Sequence, residues 1–263
     1  MKPAHAVTTR VTDCRAQPSW YGMNHVVLLG AGSGTRLRPH TDHRPKCAID
    51  IAGEPLAVRM LRQLAGHGVS AATVVVGHCA ERARALLGNR VRGLDVRFVE
   101  NASYASTNTM YSTLLAIDAL ADGGFLVEGD IVASDAAIAR LCGADPASSH
   151  WAAEPWTPAH RGSRLRSDDS GRIVAQDICR TQTAATRWLW KSAGMLRLSR
   201  AGARALGAAL RGEPDRGLYY DEVIARHLPA FHLAVLDLAG APWLEIDDAD
   251  DLAQARRLFE EAA

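Results

Sequence analysis

The chain has 263 residues, enough for one large domain or two small ones whose core needs no cross-links. Hydrophobic residues make up 48%, charged residues 22%, and the formal net charge is +1. That balance excludes bulk attraction to nucleic acid or to an anionic membrane, so any phosphate chemistry must use locally placed cations.

Residues 1–22 are polar, with Pro3, Pro18 and Gly22. They lack the apolar centre of a signal peptide, so they read as a flexible leader before a single domain over 23–263. The first predicted strand is His25 to Gly30, short, β-branched and apolar. A glycine-rich turn, Gly30-Ala-Gly-Ser-Gly34, and a polar loop with Pro39 and Pro45 follow. Pro55 to His67 is a predicted helix: Ala57, Met60, Leu61 and Leu64 give the 3.6 period, and Gly66 and Gly68 close it. Strands at Ala72 to Gly77, Leu94 to Val99 and Phe125 to Val127 then alternate with helices at Ala80 to Leu87 and Thr109 to Leu120. The second half is less regular. Strands are expected at Ser149 to Glu154, Arg172 to Asp177, Trp188 to Leu198, Phe231 to Leu238 and Trp243 to Ile246. Helices are expected at Leu198 to Leu210, Tyr220 to Leu228 and about Ala249 to Glu260, the last capped by Asp247 or Asp248. The alternation predicts an α/β fold with a mainly parallel, mixed central sheet between helical layers.

Five cysteines, at 14, 47, 79, 142 and 179, show no CxxC pair or metal spacing and read as free thiols of a cytoplasmic protein. No apolar run approaches a membrane span. Lysine occurs only at Lys2, Lys46 and Lys191. A compact ammonium at the two internal positions suggests sites where the planar fork of arginine does not fit.

The chemistry concentrates in the first loop. Its glycines let backbone N–H groups approach a phosphate chain, and Arg36 and Lys46 add positive charge. It is not a dinucleotide fingerprint, because Thr35 stands where the third glycine belongs, and no GxxxxGK[ST] register exists. Asp130 ends Phe125-Leu-Val-Glu-Gly-Asp130 and Asp247 ends Trp243-Leu-Glu-Ile-Asp247. Carboxylates at the carboxyl ends of strands sit where open α/β sheets bind ligands, and two can hold Mg²⁺. Glu128 and Glu245 are neighbouring substitutes.

The run Gly32-Ser-Gly34-Thr-Arg36-Leu37-Arg-Pro39-His-Thr41-Asp-His-Arg-Pro45-Lys46 resembles the signature of nucleotidyltransferases with a GT-A-like Rossmann fold, G-x-G-x-R-[LM]-x-P-x-T-x-x-x-P-K, at every fixed position. The resemblance implies a three-layer α/β/α domain with an NTP-binding half over about 23–130 and an acceptor-binding half over about 131–263. It implies nucleotide contacts from Leu29, Gly30, Ala31, Gly32, Ser33, Gly34, Thr35, Arg36, Gly77, Asn101, Asn108, Ser112 and Glu128. It also implies catalytic roles for Arg36 and Lys46, and a metal pair in Asp130 and Asp247.

Asn101-Ala-Ser-Tyr104 and Asn108-Thr-Met-Tyr111-Ser112 look like the N-x-x-Y and N-N-x-Y-S arrangement of phosphocholine cytidylyltransferases, with Thr109 replacing the second asparagine. This resemblance extends to Trp156, Lys191, Tyr219, Tyr220, Asp221 and Glu222. An aromatic wall with carboxylates suits a cationic head group, and Lys191 is expected at the acceptor phosphate. The implied reaction takes an NTP, CTP by this resemblance, and a small phosphocholine-like, aminoalkylphosphonate or hydroxyalkylphosphonate acceptor to a CDP-type or CMP-type conjugate and pyrophosphate. No nucleic acid or membrane partner is implied, and a homodimer stays open. The rival readings are a sugar-1-phosphate nucleotidyltransferase and a non-catalytic, nucleotide-sensing relative. His78, in the turn after a strand, reads either as a surface residue or as a neighbour of the base.

Overall fold

The computed structural model describes residues 24–179 and 188–260. The leader expected over 1–22 and Cys14 lie outside them. The first half contains β1 (His25–Gly30), a short hairpin of β2 (Asp50–Ile51) and β3 (Glu54–Pro55), α1 (Leu56–Gly66), β4 (Ala71–Val76), α2 (Ala80–Leu87), β5 (Arg90–Val91), β6 (Leu94–Glu100), α3 (Thr109–Ala116) and β7 (Gly124–Glu128). The second half contains β8 (Ile131–Ala133), α4 (Asp135–Gly143), β9 (Ser149–Pro155), β10 (Gly162–Ser167), β11 (Ile173–Cys179), β12 (Trp190–Leu198), α5 (Arg200–Gly212), α6 (Tyr220–Arg226), α7 (Leu228–Phe231), β13 (Leu233–Asp237), β14 (Trp243–Glu245) and α8 (Ala249–Glu260).

One large mixed sheet crosses both halves. Strands β7, β1, β4 and β6 are parallel. Strand β12 joins β7 antiparallel, then pairs with β9, which carries β13 parallel to it. The β10–β11 pair branches from the first residues of β12. Strand β1 is buried along its whole length, as expected of a central parallel strand with helices on both faces. Val26, Leu28, Val74 and Val76 pack on Met60, Leu61 and Leu64 of α1. On the other face, Val27, Leu29 and Val75 meet Met110, Leu206, Tyr220 and Ile224.

A third cluster positions the first loop. Leu37, Ile51, Leu56, Ile246, Leu252 and Phe259 pack together under α8. Leu37 is fully buried, and burying such a side chain is worth about 2 kcal/mol. It therefore anchors the loop that bears Arg36.

Several expectations change in detail. The helix expected to Leu120 is α-helical only to Ala116 and tightens into a 3₁₀ turn over Ile117–Leu120, a common helix ending. The elements β8, α4 and β10 have no counterpart in the sequence reading. Strand β8 is three residues long and β10 carries two arginines and two serines, so neither shows a clear period. Asp248, not Asp247, caps α8: its Oδ1 accepts from Asp251 N at 3.1 Å, while Asp251 Oδ2 accepts from Asp247 N and Asp248 N. The side chain of Asp247 is thereby left for other work.

Candidate active site

The site lies at the carboxyl ends of β1, β4 and β7. Gly34 takes a left-handed backbone, φ 58°, which reverses the loop after β1. Its carbonyl accepts from Leu37 N at 2.9 Å and from Thr41 Oγ1 at 2.7 Å. The Ala31 carbonyl accepts from His78 N at 3.0 Å, and His78 Nε2 bonds the Thr41 carbonyl at 2.7 Å. His78 thus ties the two ends of the loop together. Gly77 permits this approach, because a Cβ there would lie 2.7 Å from the Ala31 oxygen and 2.8 Å from Tyr104 Cβ.

Strand pairing brings the two aspartates together. Strand β14 runs antiparallel to β8 with Glu245 opposite Ile131, and Ile246 N donates to the Asp130 carbonyl at 3.0 Å. Asp247 therefore arrives beside Asp130 although 117 positions separate them in the chain (247 − 130). Lys46 Nζ donates to Asp130 Oδ2 at 2.7 Å and to Asp247 Oδ1 at 2.9 Å. Arg36 reaches the same Asp247 oxygen at 2.8 Å. Burial alone would lower the Lys46 pKa, but Asp130 and Asp247 outweigh it and hold the ammonium above its ordinary value. Arg36 is raised in the same way against burial, chiefly by Asp247. Asp247 is held below the usual carboxylate range because Lys46 and Arg36 outweigh its burial.

Asp130, Glu245 and Asp247 each offer an oxygen within 4.8 Å of the others. Asp130 Oδ1 is buried without a hydrogen-bond partner. Three hard oxygen donors, one of them orphaned, fit a small divalent cation. Glu245 rather than Glu128 is the third member.

A second cluster lies beside this one. Lys191 Nζ donates to Glu245 Oε2 at 3.0 Å and stands over Trp243. Burial would lower its pKa, and Glu245 reverses that. Tyr220, fully buried, donates its hydroxyl to Glu128 Oε1 at 2.8 Å. Burial, with Asp221, Asp130 and Glu245 nearby, pushes Glu128 well above the usual carboxylate range. Burial also raises Glu245, against Lys191. Asp221 is pushed up to about 6 by burial, against a hydrogen bond from Ser163, and its Oδ1 is unpartnered. Glu128, Asp221 and Glu245 thus crowd around one ammonium, and burial raises the pKa of all three.

Other expected site residues have partners within the chain. Asn101 Nδ2 donates to Thr107 Oγ1 and Ser112 Oγ, both at 3.0 Å, and its Oδ1 accepts from Ser103 N, so Asn101 and Ser112 shape the 101–108 loop. Asn108 caps α3 through Thr109 N. Glu222 accepts from Tyr219 N at 2.9 Å, which occupies it at the start of α6, and Tyr219 is 37% exposed. Trp156 meets His160 edge-on and lies under Arg164. Lys191, expected at an acceptor phosphate, bonds Glu245 beside the carboxylate cluster. The sequence reading did not single out Ser163, which bonds Asp221, or Arg216. Arg216 stacks over Tyr111, with Nη1 buried and unpartnered, and only its place three residues before Tyr219 in an acceptor motif pointed to it.

Fold and site define an NTP-handling α/β transferase domain. Residues 26–213 match the MobA-like NTP transferase domain, and the chain belongs to that family. It is 35% identical over 237 residues to the CMP-5'-(3-aminopropyl)phosphonate synthase of Streptomyces rubellomurinus, covering 87% of this chain but 38% of that protein. It is 29% identical over 233 residues to the 2-aminoethylphosphonate cytidylyltransferase of Lancefieldella rimae, covering 87% of this chain and 90% of that one. The solved CTP:phosphocholine cytidylyltransferase of Streptococcus pneumoniae shares the fold with a TM-score of 0.75 at 21% identity, over 89% of this chain and 98% of that one. No described helix is long and apolar enough to cross a membrane.

Proposed function

We propose that the protein transfers a cytidylyl group from CTP to a phosphonate or phosphate oxygen of a small acceptor that carries an ammonium group. The observation that carries this reading is the junction of Lys46 with Asp130 and Asp247 beside the glycine turn. An acceptor oxygen, already anionic at neutral pH, attacks the α-phosphorus in line. The bond from that phosphorus to the β-bridging oxygen breaks, and pyrophosphate leaves. No general base is required. The chain must instead bring two anions together and stabilise charge on the reacting phosphoryl group. The loop amides and Arg36 bind the triphosphate, with Arg36 on the leaving phosphates. Lys46 stands between the α-phosphate and the acceptor. Asp130, Asp247 and Glu245 would hold Mg²⁺, which when bound neutralises phosphate charge and orients the chain of phosphates.

The second cluster selects the acceptor class. A buried carboxylate oxygen without a donor is costly, and an N–H-bearing ammonium relieves that cost at Asp221. A quaternary ammonium donates no hydrogen bond and needs open aromatic faces. Tyr220 is instead buried, 6.3 Å from Trp151, and Trp156 is covered by Arg164 and His160. A sugar 1-phosphate supplies no cation for Asp221. Two of the relatives are named for aminoalkylphosphonates, in agreement with this choice. The test is a pyrophosphate-release screen crossing each NTP with 2-aminoethylphosphonate, 3-aminopropylphosphonate, ethylphosphonate, phosphocholine and hexose 1-phosphates. Turnover is expected for CTP with an aminoalkylphosphonate, with at least tenfold lower kcat/KM for ethylphosphonate. Strong turnover with a hexose 1-phosphate alone would overturn the proposal.

A further inference from the structure

We propose that Thr109 is a positioning residue for the acceptor: its hydroxyl fixes the first turn of α6, and with it Asp221, against the nucleotide-side helix α3. This role rests on the reading of the acceptor as an aminoalkylphosphonate. Position 109 is where this chain departs from the N-N-x-Y-S pattern, with a hydroxyl in place of a carboxamide.

The contacts form a short series along one segment. Asn108 N donates to the Arg216 carbonyl at 3.0 Å and Met110 N to the Leu218 carbonyl at 3.2 Å. Between them, Thr109 Oγ1 accepts from Tyr220 N at 3.2 Å. Tyr220 is the first residue of α6, and its amide is one of the donors that a helix start cannot satisfy internally. Helix α6 has seven residues, too few to hold its own conformation, so groups outside it decide where it sits. Glu222 satisfies the preceding amide from within. Thr109 is the side chain from another element that satisfies the next one. A threonine hydroxyl sits directly on Cβ and meets a neighbouring backbone amide; the longer asparagine carboxamide would end farther out.

The side chains of Tyr220 and its successor give this contact its consequence. Tyr220 crosses the core to Glu128, two residues before Asp130. The next residue, Asp221, is buried with Oδ1 unpartnered. In a close-packed interior a shift at the Tyr220 amide is passed to both. Thr109 therefore touches neither substrate. It sets the carboxylate that does.

The test compares Thr109→Val, which keeps the shape and loses the acceptor atom, with Thr109→Ser, which keeps the hydroxyl. Loss of one hydrogen bond corresponds to about three- to tenfold. In Thr109→Val the KM for 2-aminoethylphosphonate should rise by that factor while the KM for CTP stays within about twofold. Thr109→Ser should restore the wild-type value. In the substrate-free protein, amide hydrogen exchange over residues 219–222 should quicken in Thr109→Val and not in Thr109→Ser. An unchanged acceptor KM, equal rises in both KM values, or equal effects of the two variants would overturn the proposal. If wild-type protein turns over no aminoalkylphosphonate, the acceptor reading fails, and hydrogen exchange still decides whether Thr109 holds α6. Should Thr109→Val fail to fold, Thr109→Ala is read by the same two measurements.

Discussion

Replacing Lys46 by Met should abolish most turnover and leave the fold standing. The ammonium lies 2.7 and 2.9 Å from two carboxylate oxygens and is held above its ordinary pKa, so it carries its charge throughout the working pH range. Its Cβ packs against the glycine turn, 3.4 Å from where a side chain on Gly34 would begin. From there, in the proposed mechanism, it serves the reacting phosphates. A unit charge about 3 Å from a phosphoryl oxygen gains roughly 5 kcal/mol at an effective dielectric near 20. Desolvation takes back part of that, and removing one preorganised donor costs about 3–4 kcal/mol, or two to three orders of magnitude in kcat. Asp130 and Asp247 are 22% and 27% exposed, so water can solvate them once the ammonium is gone, and the Met stem preserves packing. The melting temperature should fall by no more than about 5 °C. Lys46→Arg should not rescue, because a planar fork cannot bridge both oxygens from the same place. Continuous pyrophosphate release at saturating CTP, with calorimetry on the same samples, measures both quantities. Lys46→Met keeping a third or more of wild-type kcat would refute the reasoning.

Three further outcomes are expected. Gly77→Ala should raise the KM for CTP and lower stability by about 1–3 kcal/mol, since its Cβ would lie 2.7 Å from the Ala31 oxygen; unchanged KM and melting temperature would contradict the loop geometry. The ratio of kcat/KM for 2-aminoethylphosphonate to that for ethylphosphonate should fall below about pH 6, because protonation of Asp221 removes the ammonium's partner; the same profile in Asp221→Asn separates this from titration of the two phosphonates, which differ because one carries an ammonium. Glu128, Glu245, Lys191 and Tyr220 surround that carboxyl, and Asp221→Asn should flatten the profile. Burial, with Arg97 nearby, depresses His25 to about 4, and its ring bonds Thr73 Oγ1 at 2.9 Å. The unfolded chain binds the proton more readily, so this stability is complete above about pH 6.5 and is lost as pH falls toward 4, on the order of 3 kcal/mol. His25→Gln should make urea unfolding less steeply dependent on pH in that window.

The nucleotide half was readable because its signals are local. Strand β1, the glycine turn, α1 and β4 each announce themselves by period or by a fixed glycine, and Arg36 and Lys46 sit inside one motif. Asp130 and Asp247 were legible as strand ends, but their meeting depends on the β8–β14 pairing, and three-residue strands leave no period to read. For Glu128 and Glu245 the sequence showed only two acids near two others. Register gave Glu245 to the carboxylate triad, and the Tyr220 hydroxyl claimed Glu128. Glu222 and Asn108, expected at ligands, each bond a helix-start amide, a role their residue types also favour. Thr109 was visible as a departure, yet its partner lies 111 residues away, beyond the reach of any local pattern.

The product of one reaction tests cytidylyl transfer most directly. Incubating the protein with CTP, 2-aminoethylphosphonate and Mg²⁺ and following it by phosphorus NMR should show pyrophosphate together with two mutually coupled resonances, one phosphonate and one phosphate, from a new P–O–P linkage. Pyrophosphate without that coupled pair, or CTP left intact while a hexose 1-phosphate is consumed with another nucleotide, would contradict it.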